Sequence, residues 1–470
     1  MSSLKFGTSG LRGLVVDLLG RPSYDHVRAF LDALRAELAP GSPVLIGRDL
    51  RGSSAAIAAT AAAAVAASGF RPLDCGALPT PALALEGLRL GCPAVMVTGS
   101  HIPDDRNGLK FYTARGEITK GEEGAILRAL AGGDAAAGDG ESGAAEPHPE
   151  AAARFLARST AFFPGDALSG LRVGVYQHST VARDVLAELV AALGGTPVPF
   201  GRSSAFVPVD TEAHRPEDLE ALKAAAAGTA LDAIVSADGD ADRPLLADAG
   251  GAVLPGDVVG TIAARHLGAD AVVVPVTANS AIEAAGGFAR VVRTRIGSPF
   301  VVAGMEDARR DGAGRIAGFE ANGGFLLGSD VALGGRHLAA LPTRDAVLPL
   351  LAALVAARSA GTTLAALAAS LQFKATASHR LQEVAPARSA PFLDRLRDPG
   401  ARAAFLAPLG RVAAVDETDG IRVTLDGGSV VHFRVSGNAP ELRCYAEAGT
   451  EAEAGRILRW GLDAADAAMG

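Results

Sequence analysis

Along the chain the spacing of apolar residues changes in a fixed order, and the order recurs three times. A short β-branched run is followed by a polar turn, an alanine- or leucine-rich stretch of helical length, and a second short run. Residues 43–76 ("PVLIGRDLRGSSAAIAATAAAAVAASGFRPLDCG") show it first, 171–200 ("LRVGVYQHSTVARDVLAELVAALGGTPVPF") second, and 271–297 ("AVVVPVTANSAIEAAGGFARVVRTRIG") third. Each copy predicts a β-α-β crossover with parallel strands. After each, a further apolar strand runs into a glycine-rich polar loop and a fresh strand: "AVMVTGSHIPDDRNGLKFY" at 94–112, "AIVSADGDADRPLLAD" at 233–248 and "RIAGFEANGGFLLG" at 315–328. Ligands of open α/β sheets collect at the carboxyl ends of strands, so the three loops are expected to converge on one cleft.

From about Phe373 the pattern changes to alternation, as in "GIRVTLDGGSVVHFRVSG", where "DGG" reads as a hairpin turn. The small, polar, aperiodic stretch 132–150 reads as a boundary. The expected fold is α/β: three repeated α/β domains around a central cleft (1–148, 149–250 and 251–370) plus a C-terminal α+β domain of a different fold (371–470).

Composition narrows the function. A length of 470 residues exceeds one core, and 49% hydrophobic with 20% charged residues suits a folded enzyme. The net charge of −8, with no Lys/Arg block, argues against nucleic acid. The scattered Cys75, Cys92 and Cys444 point to a reducing compartment. No apolar run is long enough for a bilayer, so a cytoplasmic protein without a membrane partner is expected. A Gly-Lys dipeptide is absent, which excludes a Walker loop, and there is no G-x-S-x-G.

Four loops carry chemistry. In "DGDADR", Asp238, Asp240 and Asp242 alternate on a tight turn and can face one hard cation. An EF-hand is excluded because Arg243 and Ala249 stand at its sixth and twelfth positions, whereas Mg²⁺ completed by a phosphate oxygen suits three carboxylates. Ser100 could store a phosphoryl group, with His101 or Lys110 as cation or proton carrier; a turn-capping hydroxyl is the plainer alternative. Glu320 and Asn322, between glycines, can bond vicinal sugar hydroxyls, although a simple hairpin would look the same. Arg434, Ser436, Gly437, Asn438 and Arg443 form a phosphate clamp, and Thr8, Ser9 and Arg12 repeat its style near the amino terminus.

Five motifs in order, "FGTSGLRG", "TGSHIPDDRNGLKFY", "DGDADRPLL", "GFEANGG" and "RVSGNAPELR", resemble those of the α-D-phosphohexomutases, the phosphomannomutases and phosphoglucomutases. The resemblance covers essentially the whole chain. It implies three related α/β domains and a different fourth, with Ser100 as phosphoserine and, with Asp238, Asp240 and Asp242, as Mg²⁺ ligand. It also implies Arg243, Glu320 and Asn322 as substrate-binding residues, the last two reading sugar hydroxyls, and the 434–443 loop as a clamp for either phosphate. Lys110 and Arg12 would be charge partners or proton carriers. The implied reaction interconverts hexose 1- and 6-phosphates through a 1,6-bisphosphate, which also serves as activator. Mannose phosphates are the first expectation, with glucose and glucosamine phosphates as alternatives; a Mg²⁺-dependent phosphatase or a non-catalytic sensor are the other classes. A monomer or homodimer is expected. Two departures stand out: the family's sugar loop commonly reads E-x-S-G-H and its phosphate loop S-G-T-E-P, whereas Asn322 with Gly324, and Asn438 with Ala439, occupy those positions here.

Overall fold

The computed structural model describes residues 3–7, 10–132, 144–436 and 440–470. Its first three sheets repeat one four-strand arrangement. In the first, Pro43–Arg48 pairs in parallel with Arg71–Ala77 and Ala94–Val97, and Ala94–Val97 pairs antiparallel with Arg106–Thr113. Arg172–His178, Thr196–Arg202, Ala233–Ala237 and Pro244–Asp248 repeat this, as do Ala271–Pro275, Arg290–Thr294, Ile316–Phe319 and Phe325–Leu327. The crossovers are parallel, as periodicity predicts, and the fourth strand reverses. A connection of a few residues can close only an antiparallel pair, because a parallel return needs about a dozen residues. The pairs Val97↔Leu109, Ala237↔Pro244 and Phe319↔Phe325 therefore close three equivalent loops at the ends of three equivalent strands.

Part of the stretch that reads as a linker has structure. Glu146–Pro147 adds an edge strand to the first sheet, paired with Leu73 and Asp74, and His148 N donates to Asp74 O at 2.7 Å. Backbone pairing of this kind needs no side-chain periodicity, so composition does not reveal it. The C-terminal sheet is antiparallel throughout, in the order Ala375–Leu381, Leu442–Ala448, Val430–Val435, Ile421–Leu425 and Val412–Asp416, with the helix Glu451–Met469 packed on it.

One hydrophobic core runs through the first three sheets, joining Leu45, Val175, Val235, Val272 and Phe319, whereas the C-terminal sheet has its own core around Phe392, Phe433 and Ile457. The apolar run at 346–357 is the helix Val347–Ser359, buried on nearly all sides within the shared core. A helix apolar all round is stable only where every face is covered. Among the described residues no single helix is long and apolar enough to cross a membrane; this one forms an apolar pair with Leu364–Ser370, bent by 92°.

Candidate active site

The Ser100 loop leaves Ala94–Val97 and places Ser100 in the left-handed region at φ 54°. A residue with a Cβ holds that conformation at a cost of about 1–3 kcal/mol, so its surroundings must fix it. Ser100 N donates to Thr98 Oγ1 at 2.8 Å, and Ser100 Oγ donates to Asp238 Oδ2 at 2.5 Å and lies 3.1 Å from His101 Nδ1. Burial first, then the cations Arg243 and Arg12, hold the His101 imidazole far below its ordinary pKa and therefore neutral.

The aspartate loop is moulded from several directions. Ala241 has φ 60°, Asp238 O accepts from Thr180 Oγ1 at 2.6 Å, and Asp240 O accepts from Thr80 N at 2.9 Å. Thr80 opens the helix Thr80–Leu90, which has proline in its first turn and a left-handed Gly91 at its end. Its hydroxyl also donates to Asp240 Oδ2 at 2.6 Å. Gly239 sits where a Cβ would stand 2.7 Å from Ser100 O, so this glycine allows the two loops to touch.

Asp238, Asp240 and Asp242 are buried and each offers an oxygen within 4.8 Å of the others. Lys110 Nζ donates to Asp240 Oδ2 at 2.6 Å and to Asp242 Oδ2 at 2.5 Å, and Arg344 lies 2.7 Å from Asp242 Oδ2. Asp238 Oδ1 accepts from the backbone N–H groups of Asp242 and Arg243. Asp240 Oδ1 and Asp242 Oδ1 are buried with no hydrogen-bond partner among the described residues. Two buried carboxylate oxygens without a hydrogen bond, one of them 3.8 Å from Arg243 Nε, next to the Ser100–Asp238 pair fit a hard divalent cation. Burial opposes ionisation of Asp242, but Arg344, Lys110 and Arg243 outweigh it and hold its carboxyl well below the usual range. Asp238, raised first by burial and then by its two acidic neighbours, moves the opposite way. Lys110 is penalised by burial, but Asp240 and Asp242 keep it charged and raise its pKa.

A cleft of about 670 Å³ lies beside these groups. Of the residues singled out from sequence, Arg12, His101, Arg243, Glu320, Asn322, Arg434, Ser436 and Arg443 line it, and Ser100, Lys110 and the aspartates lie buried behind its wall. Burial and the neighbouring Arg243 and Arg344 lower Arg12 to about 10. In the 320–324 loop Gly324 N donates to Asn322 Oδ1 at 2.9 Å, and Glu320 lies 3.6 Å from Arg344. Arg434 stands directly opposite Arg443, which in turn stands opposite Arg380, so three arginines align across neighbouring strands. Each is ion-paired, Arg434 with Asp419 at 2.9 Å and Arg380 and Arg443 with Glu441 at 3.3 and 3.4 Å, which offsets the repulsion of like charges in register. Gly437 and Asn438 of the clamp, with Thr8 and Ser9, lie outside the described residues.

Sequence reasoning missed several cleft residues. Arg344 bridges the aspartate loop and the 320–324 loop, and Thr211, Glu212 and His214 enter from the second sheet's side, where Thr211 Oγ1 donates to Asn322 O at 2.8 Å. None sits in a local pattern of its own. Asp257, also in the wall, is pushed up to about 6 by burial, with Glu447 adding to it, while it accepts from Asn279 N at 2.9 Å. A raised folded-state pKa gives stability that is complete below the unfolded value and is lost as pH rises through about 6. Asp257→Asn keeps an acceptor without the charge, so its stability relative to wild type should improve by about 2 kcal/mol between pH 4.5 and pH 8 in denaturant melts.

A buried serine held against a carboxylate triad, beside a cleft lined by arginines, is the arrangement of a phosphoryl-transfer enzyme. The model of the phosphoglucomutase/phosphomannomutase α/β/α domain I matches residues 3–136, and that of domain III matches 255–373. A phosphomannomutase of Sinorhizobium fredii is 48% identical over 99% of both chains, and one of Salmonella muenchen is 41% identical over 97% of this chain and 94% of that one. The crystal structure of a phosphoglucomutase/phosphomannomutase family protein from Burkholderia thailandensis superposes with a TM-score of 0.75 at 22% identity, covering 98% of this chain and 97% of that one. The chain belongs to the phosphoglucomutase/phosphomannomutase family, the α-D-phosphohexomutases.

Proposed function

We propose that this enzyme interconverts mannose 1-phosphate and mannose 6-phosphate. The observation that carries the reading is Ser100 Oγ at 2.5 Å from Asp238, beside two buried carboxylate oxygens that accept no hydrogen bond. Full-length similarity to phosphomannomutases supports mannose over the other hexoses. Asp238, Asp240, Asp242 and Ser100 would hold Mg²⁺, which when bound offsets phosphoryl charge.

Ser100 carries the phosphoryl group. In transfer its Oγ–P bond breaks, a bond from phosphorus to the free sugar hydroxyl oxygen forms, and the hydroxyl proton leaves to a base. The resulting 1,6-bisphosphate turns over, and its other phosphoryl returns to Ser100. Added hexose 1,6-bisphosphate thus primes an unphosphorylated enzyme. Arg434, Ser436 and Arg443, with Gly437 and Asn438, clamp the phosphate not being transferred. Glu320 accepts from sugar hydroxyls, and Asn322, whose Oδ1 is engaged by Gly324 N, donates through its NH₂. Arg12 and Arg243 supply positive charge on the serine side. Lys110, pinned between two aspartates, supports the role of counter-ion rather than proton carrier. The neutral His101, with Nδ1 3.1 Å from Ser100 Oγ, orients the serine.

Phosphorus NMR of the enzyme with Mg²⁺ and a trace of hexose 1,6-bisphosphate tests this. Mannose 1-phosphate should convert to the 6-phosphate faster than glucose or glucosamine 1-phosphate. Inorganic phosphate as the main product would replace the mutase with a phosphatase, and a glucosamine preference would reassign the substrate.

A further inference from the structure

Arg51 lies in the first repeat but outside the five motifs above, and its side chain is completely buried beneath the Ser100 loop. Its Nε pairs with Asp49 Oδ2 at 3.2 Å, one terminal nitrogen donates to Pro103 O at 2.8 Å and Arg106 O at 3.0 Å, and the other to Ser100 O at 2.9 Å and Ile102 O at 2.6 Å. A guanidinium has five N–H donors, and this one spends all five, four of them on backbone carbonyls of a single loop. Asp49 also accepts from Ser54 Oγ at 2.5 Å and Thr98 Oγ1 at 2.8 Å, and that same Thr98 oxygen receives Ser100 N. The Phe206 ring, from beyond the second sheet, covers the guanidinium with its centroid 3.9 Å from Cζ. A Cβ on Gly99 would lie 2.7 Å from Arg51 Cζ, so the fit leaves no room for a side chain there.

We infer that Arg51 is the positioning residue of the phosphoryl-carrying loop, fixing Ser100 in its left-handed conformation against Asp238. This rests on the mutase reading of Ser100. The buried guanidinium does two things that a smaller cation does not. It holds four carbonyls of an irregular loop in one arrangement, which offsets the strain at Ser100. It also commits those carbonyl oxygens to a cation, so that none is left to face a phosphoserine carrying about −1.5 to −2 charges. Lysine in this place has three donors, no planar fork and no surface to lie against Phe206.

The test compares full-length wild type, Arg51→Lys and Gly99→Ala. Gly99→Ala leaves every charge intact and pushes the guanidinium away from the loop. Both variants should lose about 100-fold in kcat, the scale of a displacement of about 1 Å at a reacting group, with KM for mannose 1-phosphate within about threefold of wild type. Amide exchange over 98–106 should accelerate at least tenfold in both. Arg51→Ala should regain turnover with added guanidinium and not with methylammonium. If Arg51→Lys does not fold, Gly99→Ala decides alone. A kcat within threefold of wild type, or a loss confined to KM, overturns the inference. If wild type turns over no hexose phosphate, the mutase reading fails; unchanged loop exchange in both variants then overturns the positioning role as well, and faster exchange upholds it for the loop.

Discussion

Ser100→Ala is expected to remain folded and to lose phosphoryl transfer by about 10⁴-fold or more, because it removes the hydroxyl that meets Asp238. The direct reading is covalent: wild type mixed with labelled hexose 1,6-bisphosphate and Mg²⁺ should take up one phosphoryl group per chain, and the variant none. Alanine retains the backbone donor to Thr98 and fits the loop sterically, so a folding defect does not explain the loss. Labelling of the variant at wild-type stoichiometry, or turnover within tenfold, would place the carrier elsewhere.

Lys110→Ala should have the next largest effect, and in two separable ways. Lys110 is 2% exposed and is the shared partner of Asp240 and Asp242. Removing it takes the paired cation from buried Asp240 and leaves Asp242 to Arg344 and Arg243, and breaking a buried pair costs about 3–5 kcal/mol. Added Mg²⁺ should therefore raise the melting temperature of the variant by more than it raises that of wild type, since binding to the folded state restores the missing positive charge. Turnover at saturating Mg²⁺ should still fall by about 10²- to 10³-fold, the scale for removing one preorganised charge from a phosphoryl site. KM should change little, because Lys110 lies behind the cleft wall. A change confined to KM refutes this role, and equal Mg²⁺ stabilisation of both proteins refutes the counter-ion argument.

The strand–loop–strand units were legible because a β-branched run, a glycine-rich turn and a second run are local signals. Asp238, Asp240 and Asp242 were readable as candidate cation ligands from alternation on a turn, and the arginines of the last loop as a candidate clamp from their spacing around it. Arg51 and Arg344 were not. Arg51 stands in an ordinary polar turn and Arg344 in the short strand Leu341–Asp345, and their meaning comes from partners 49 to 55 residues away for Arg51 and about a hundred for the Asp242 partner of Arg344. Lys110 lies between these cases: its presence beside Ser100 was visible, and its engagement by two aspartates was not.

The sequence by itself thus determined the repeated α/β units, the different C-terminal unit and the residue types presented by each loop, since these follow from short-range periodicity and turn chemistry. Only the tertiary structure decided which loops touch. Thr80 meets Asp240 across 160 positions and Ser100 meets Asp238 across 138, and these meetings depend on a core shared by three sheets. Burial in that shared core is non-directional and specifies no pair by sequence spacing, whereas the charges and hydrogen bonds it encloses are specific only after the chain has brought them within about 3 Å.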